Sequence, residues 1–228
     1  MELNDFLSIA GAEGIIYYGG NQSWFGTNVG REGGCGTVAA ANTLAYLAIK
    51  NPSLRVLYSG NSINNITKND YVSHMNQVYK YVKPLKFPIF DQPAGGIPFL
   101  SWYRDGVIKY AQSKGVMLRA HSAKRTLDLD SAIQYIKDGL NKGCPVALVN
   151  WWNPKLKSIP WASPDNGVIS NQDFQIHWVT ITALYDNRPT GQVFIDVSSW
   201  GSKVNLNFSD VWNNTSILGY VGLMYFVW

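Results

Sequence analysis

Cys35 stands in Gly33-Gly34-Cys35-Gly36-Thr37-Val38, where a glycine-rich turn runs directly into an alanine-rich, helix-forming stretch. A cysteine in the first turn of a helix meets unpaired backbone N–H groups with partial positive charge, which favour a thiolate. The flanking glycines let backbone and substrate come close, and the Cys35 N–H can help hold an oxyanion. The competing reading is a buried structural cysteine. Cys144, in Lys142-Gly143-Cys144-Pro145, begins an expected core strand and reads as structural. Two cysteines without CxxC or HxxxH spacing make no zinc site, so neither metal nor cofactor is expected.

A thiolate hydrolase needs an imidazole to take and return the proton. The sequence offers three: His74, His121 and His177. His74 lies on an amphipathic helical pattern beside Met75 and reads as surface or rim. His121 ends a short strand in a Ser/Lys-rich edge. His177 opens His177-Trp178-Val179-Thr180-Ile181, a run of strand formers whose mouth end suits a base; a satisfied structural histidine is the alternative. Asp196 interrupts the apolar run Val193-Phe194-Ile195-Asp196-Val197, and a carboxylate there needs a partner. An antiparallel hairpin can bring it beside His177 to fix the imidazole's tautomer and orientation. Ser198, two residues on and on the same strand face, is the rival orienting residue.

The elements that must position these groups follow from pattern. Helices are expected over residues 36–50, 69–83, 98–113 and 130–141, the last with an N-cap at Asp128 or Asp130. Strands are expected over 116–120, 145–151, 177–185, 192–198, 203–207 and 219–228, with a hairpin loop over 187–191 and a short helix over 209–213. Residues 11–34 read as an irregular ordered loop, and 153–175 carry no legible pattern. Helices first and antiparallel strands later imply an α+β fold, a helical N-terminal half (about 1–115) packed on a sheet from the C-terminal half (about 116–228), together one catalytic domain.

The 228-residue chain carries a net charge of +4 with no run of Lys or Arg longer than two, which argues against nucleic-acid binding. No apolar run approaches the roughly 20 residues of a membrane helix, and the first residues do not read as a signal peptide. The sequence therefore reads as that of a soluble, cytoplasmic monomer, with secretion open if a signal has been removed.

Taken together, Gly34-Cys35-Gly36 leading a helix, Gly143-Cys144-Pro145-Val146-Ala147-Leu148-Val149 as a central strand, His177-Trp178-Val179-Thr180-Ile181, Phe194-Ile195-Asp196 and Phe208-Ser209-Asp210-Val211-Trp212 resemble the papain-like cysteine peptidases. The likeness is to the bacterial branch that processes bacteriocin leaders (C39-like), and it spans about residues 20–228 with a poorly matching middle. It implies a papain-like fold and a peptidase acting through a thioester acyl-enzyme, with Cys35 as nucleophile, His177 as base and Asp196 as orienting residue. Its substrates would be peptides or proteins.

Two departures stand out. The family has a Gln about six residues before the nucleophile, where this chain has Val29; Gln22 and Asn28 are the candidates to complete the oxyanion hole, and Gln22 is preferred. Ser198-Ser199-Trp200-Gly201 resembles the Asn-Ser-Trp-Gly motif of plant and lysosomal members, with Ser198 in the Asn position. Trp24, Trp152 and Trp178, with Trp151 and Trp161, are candidates for cleft walls, although core packing explains each as well. Two alternatives stay open: a thiol-dependent acyltransferase or transpeptidase on the same fold, and a noncatalytic module that binds peptide or glycan.

Overall fold

The computed structural model describes residues 1–87, 92, 94–124, 126–187, 192–214, 216 and 219–228. Of the expected hairpin loop over 187–191, residues 188–191 lie outside the described residues. The chain is α+β. A hairpin of β1 (Ser8–Ala10) and β2 (Ile16–Tyr18) leads into a 3-10 turn at Gln22–Trp24, then α1 (Asn28–Gly33) and α2 (Cys35–Lys50). After α3 (Lys68–Tyr79) and α4 (Leu100–Ser113) come β3 (Arg119–Lys124), α5 (Leu129–Asn141) and β4 (Val146–Trp151). A second hairpin, β5 (Ile159–Ala162) with β6 (Ile169–Gln172), precedes β7 (His177–Asn187), β8 (Gln192–Ser199), β9 (Ser202–Asn207), α6 (Phe208–Trp212) and β10 (Tyr220–Val227).

Six of these strands form one sheet in the order β3-β10-β4-β7-β8-β9, antiparallel at every pairing. The N-terminal residues extend it locally: Leu3 N–H donates to the Thr182 carbonyl, and Met1 and Leu184 exchange bonds beside the bulge in β7.

α2 is the central helix. Every residue from Cys35 to Ala48 is buried, so it has no polar face to give to water. The small side chains of Ala39, Ala40, Ala41, Ala45 and Ala48 let β7, β4, α3 and α4 all pack around it. Its polar members Thr37, Asn42 and Thr43 are all hydrogen-bonded. Asn51 ends the helix and caps the 3-10 turn begun by Pro52. Asp128 caps α5 by accepting from Ser131 N–H, as the sequence suggests.

Several parts differ from the sequence reading, among them the strand expected over 116–120, which runs instead from Arg119 to Lys124. The stretch 11–34 is not loop alone but holds β2, the 3-10 turn at Gln22 and α1, all too short for periodicity to register. The β5–β6 hairpin arises in a stretch with no clear alternation, and Ser202 Oγ ties it to β9 by donating to the Ala162 carbonyl. His74 is not at the surface. It is fully buried on α3, with its Nε2 3.1 Å from the Ala41 carbonyl and its Nδ1 accepting from Ser59 N–H, among the rings of Tyr58, Tyr71 and Tyr110. Among the described residues, no helix is long and apolar enough to cross a membrane.

Burial drives the His74 imidazole down to about 4, against the raising effect of its bond to Ala41. The folded state therefore prefers neutral His74, whereas the unfolded chain protonates it near pH 6.5. Stability from this residue is present above pH 6.5 and is lost as pH falls toward about 4, at up to about 1.4 kcal/mol per pH unit. The urea midpoint of the wild type is expected to fall over that window, and the fall is expected to be shallower in His74→Gln. An unchanged slope in the variant would remove His74 as the cause.

Candidate functional site

The turn into α2 is built by close approach. Gly34 N–H donates to the Gly30 carbonyl, and a Cβ at Gly34 would stand 2.3 Å from that carbonyl oxygen and 2.8 Å from the Phe25 ring. Only glycine fits, and the fit sets Cys35 as the first residue of α2. The thiol is free and 9% exposed. Burial pushes it up from its ordinary value, while the N–H groups of Trp178, Gly36 and Cys35 pull it back. The helix start thus acts in the expected direction, but desolvation outweighs it. Cys144 is also free and fully buried, its sulfur 3.6 Å from the Lys142 carbonyl.

His177 begins β7, paired in register with Asn150 of β4. The Asn150 side chain donates to the Phe174 and Gln175 carbonyls and so holds the chain as it enters His177. The imidazole Nε2 lies 2.8 Å from Ser199 Oγ. Trp200 stacks on the ring at 4.2 Å with a 20° interplanar angle, and Phe174 meets it edge-on at 5.2 Å. Burial pushes the imidazole down to about 3. Desolvation thus works against the charged form of both groups.

Cys35 and His177 line the same two hollows. One is small, about 10 Å³, close to the room one water needs, and Gln22, Ser199 and Trp200 also line it. The other is a cleft of about 380 Å³ open to the surface, walled by Glu32, Gly33, Ala94, Gly95, Gly96, Trp151, Ile176 and Trp178. A Cβ at Gly96 would stand 3.8 Å from the Cys35 sulfur, so Gly96 lies against the thiol.

Asp196 is not beside His177, which corrects the sequence reading. It pairs with Ala183, six residues further along β7 and so about 20 Å away at the strand rise. Its carboxylate accepts from Tyr185 Oη and Asn205 Nδ2, both at 2.9 Å, with Lys203 Nζ at 3.5 Å. These partners answer the desolvation cost that flagged it. Ser198 is not the orienting residue either: its hydroxyl donates to the Tyr18 carbonyl and accepts from Asn42 Nδ2. The residue at His177 is Ser199, which the sequence reading missed. Pairing of 187 with 192 already sets the partner of His177 just beyond Ser199, near Gly201, once the bulge in β7 is counted.

Gln22 does lie beside Cys35. Its Nε2 donates to the Arg31 carbonyl at 2.8 Å and to the Glu32 carbonyl at 3.3 Å, which ties the amide to the end of α1. Asn28 sits at the start of α1 and lines neither hollow. Of the three cleft tryptophans, Trp178 lines both hollows but is 3% exposed, stacked on Tyr103 at 4.5 Å and donating its indole N–H to the Ile97 carbonyl. Trp24 packs edge-on against Tyr17 with Lys68 Nζ 5.1 Å above its ring, and Trp152 is exposed; neither lines a hollow with Cys35. Trp151 does line the cleft and Trp200 the small hollow, whereas Trp161 lies on β5. His121 sits within edge strand β3, stacked on Tyr225.

Compared with known protein families and with curated proteins, the chain matches none.

Burial that works against both charged forms makes a specific kinetic prediction. Alkylation of Cys35 by iodoacetamide, followed by peptide mass spectrometry, is expected to rise steadily from pH 6 into the alkaline range as the raised thiol ionises. A rate already at its plateau by pH 6 would instead mean a resting thiolate–imidazolium pair.

Proposed function

We propose that the chain is a papain-like cysteine hydrolase of amide bonds, acting on peptides or proteins. The observation that carries this reading is the joint lining of one open cleft by Cys35, at the start of a buried helix, and His177, at the start of the facing strand. The order of nucleophile and base along the chain and the Gln22 amide beside the thiol add support.

In this reading the sulfur of Cys35 attacks the substrate carbonyl while its proton passes to His177. Ser199 accepts the imidazole Nε2–H, which leaves Nδ1 as the base and fixes the ring. The N–H of Cys35 and the Gln22 amide bind the developing oxyanion. To do so Gln22 releases its weaker bond, the 3.3 Å contact with the Glu32 carbonyl. His177 then returns the proton to the leaving amine, and water hydrolyses the thioester by the reverse route. Burial disfavours both charged forms, so in this reading the proton moves as the sulfur attacks.

The rival is a noncatalytic peptide- or glycan-binding module. One observation favours it: burial works against the charged form of both groups, and the group on His177 is a hydroxyl without charge. Turnover of a fluorogenic peptide-amide library separates the two. Cys35→Ala is expected to abolish turnover with the circular dichroism unchanged. Ser199→Ala is expected to lower kcat/KM about 2- to 12-fold, the size of one neutral hydrogen bond. Asp196→Asn is expected to leave kcat/KM near wild type and to lower Tm. Activity surviving in Cys35→Ala would end the proposal, and a larger loss in Asp196→Asn than in Ser199→Ala would overturn the role of Ser199.

A further inference from the structure

The larger cleft has an uneven chemistry. Apart from Cys35 and His177, its described walls are glycine, alanine, isoleucine and tryptophan, with one ionic side chain, Glu32. Glu32 is on the last turn of α1, three residues before the nucleophile, and it is exposed. Its backbone carbonyl accepts from Gln22, but among the described residues no ion pair reaches its carboxylate.

A carboxylate here is not neutral for the chemistry. It repels an anionic group of a ligand in the cleft and attracts a cationic one. It also stands against the charge of the whole molecule, which is +4. An unpaired acid beside a nucleophile is offset most directly by a cation that arrives with the ligand. The indole of Trp151 on the same cleft adds a π surface, which a cation also prefers to an anion.

We infer that the cleft selects ligands carrying a cationic group, a lysine or arginine side chain or a free ammonium, next to the bond presented to Cys35, and that Glu32 is the residue that selects it. This rests on the cleft proposed above as the substrate site. It makes Glu32 a specificity-determining residue and leaves the bond chemistry to Cys35 and His177. Glu32 is open to solvent, so the selectivity is a modest, salt-sensitive one.

Charged methanethiosulfonates test this without a known substrate. Each reacts by attack of the thiolate on the outer sulfur, forming a disulfide and expelling methanesulfinate, so only the attached charge differs. The assay uses the full chain carrying Cys144→Ala, so that Cys35 is the sole thiol. Rates for the neutral methyl, cationic trimethylammonium-ethyl and anionic sulfonatoethyl reagents are each divided by their rates with free 2-mercaptoethanol. The cationic-to-anionic ratio is expected to be about fivefold or more at low salt, from one unit charge several ångströms away in a water-rich cleft. It is expected to fall to about one in Glu32→Gln, to invert in Glu32→Lys, and to shrink in 0.5 M salt. In the same variants, a peptide amide with arginine before the scissile bond is expected to lose its advantage over the citrulline analogue. A ratio near one in the wild type, or a ratio unaltered by Glu32→Gln, overturns the role of Glu32 while ready labelling by the neutral reagent leaves the hydrolase reading standing. Failure of even the neutral reagent to label Cys35 overturns both.

Discussion

The side chain of Asn42 is the tie on which the rest of the site depends. It lies seven residues after Cys35, two turns along α2 and on the same face of the helix. Its Oδ1 accepts from Gly20 N–H at 2.9 Å and from Tyr71 Oη at 2.6 Å. Its Nδ2 donates to Ser198 Oγ at 3.1 Å, with Thr180 Oγ1 at 3.4 Å. One 1% exposed carboxamide thus fastens the helix begun by Cys35 to the segment leading to Gln22, to α3, to the strand carrying His177 and to the strand carrying Ser199. A buried amide with all these partners costs little to keep and much to lose, since each group left without a partner costs about 1–3 kcal/mol. Gly19 adds to the constraint: at φ +82°, a Cβ there would meet Ser198 Oγ and the Asn42 amide, so the backbone itself fills the space beside them.

The same burial that makes this network strong bears on the charge of Cys35 and His177. Desolvation works on both in the direction of neutrality, up for Cys35 and down for His177. A carboxylate on the imidazole would reverse the second effect by favouring the imidazolium. Ser199 gives a hydrogen bond of defined geometry without that charge. At the imidazole, the Ser199 hydroxyl supplies the hydrogen bond and the indole of Trp200 covers the ring. The one carboxylate on β8 is spent in a different place, where Tyr185, Asn205 and Lys203 surround Asp196 at the outer end of the sheet.

Much of the frame is legible in the sequence because it repeats a local signal over many residues. The Ala-rich run after Cys35, the Asp128 cap and the β-branched run after His177 each make one element and meet no contrary demand in the fold. The elements that escape are short. Ser8–Ala10 pairs with Ile16–Tyr18, and Ile159–Ala162 with Ile169–Gln172, in hairpins whose strands are too short for an alternating pattern to register. His74 escapes for another reason. A polar residue on an amphipathic pattern reads as surface, and only the tertiary pairing of its two nitrogens with Ser59 and Ala41 makes burial tolerable. The residue beside His177 is a different case, since the information is present. Antiparallel pairing fixes which residue faces which, and the pairing of Asn187 with Gln192 puts Asp196 opposite Ala183 and the Ser199-Trp200-Gly201 corner opposite His177. A buried carboxylate is a conspicuous feature, but register decides what it can reach.

That corner also shows how the site is held from the far side. Trp200 and Gly201 both have positive φ, +47° and +77°, the feature of a two-residue hairpin turn whose twist matches its strands, and Ser199 pairs with Ser202 across it. Glycine takes this conformation freely, whereas a tryptophan in it costs on the order of 1–3 kcal/mol. The strain persists because several contacts fix the corner at once. The Trp200 carbonyl accepts from Asn21 Nδ2, Gly201 N–H donates to the Gly20 carbonyl, and Tyr18 N–H donates to the Gly201 carbonyl. The indole is meanwhile stacked on His177 and edge-on to Phe174. Residues 18–22, already fastened at Gly20 by Asn42, therefore hold the turn that presents Ser199 and Trp200 to the imidazole. The segment carrying Gln22 and the corner carrying Ser199 are thus locked to each other by backbone bonds. Displacing either one moves the groups around His177 and the amide beside Cys35 together.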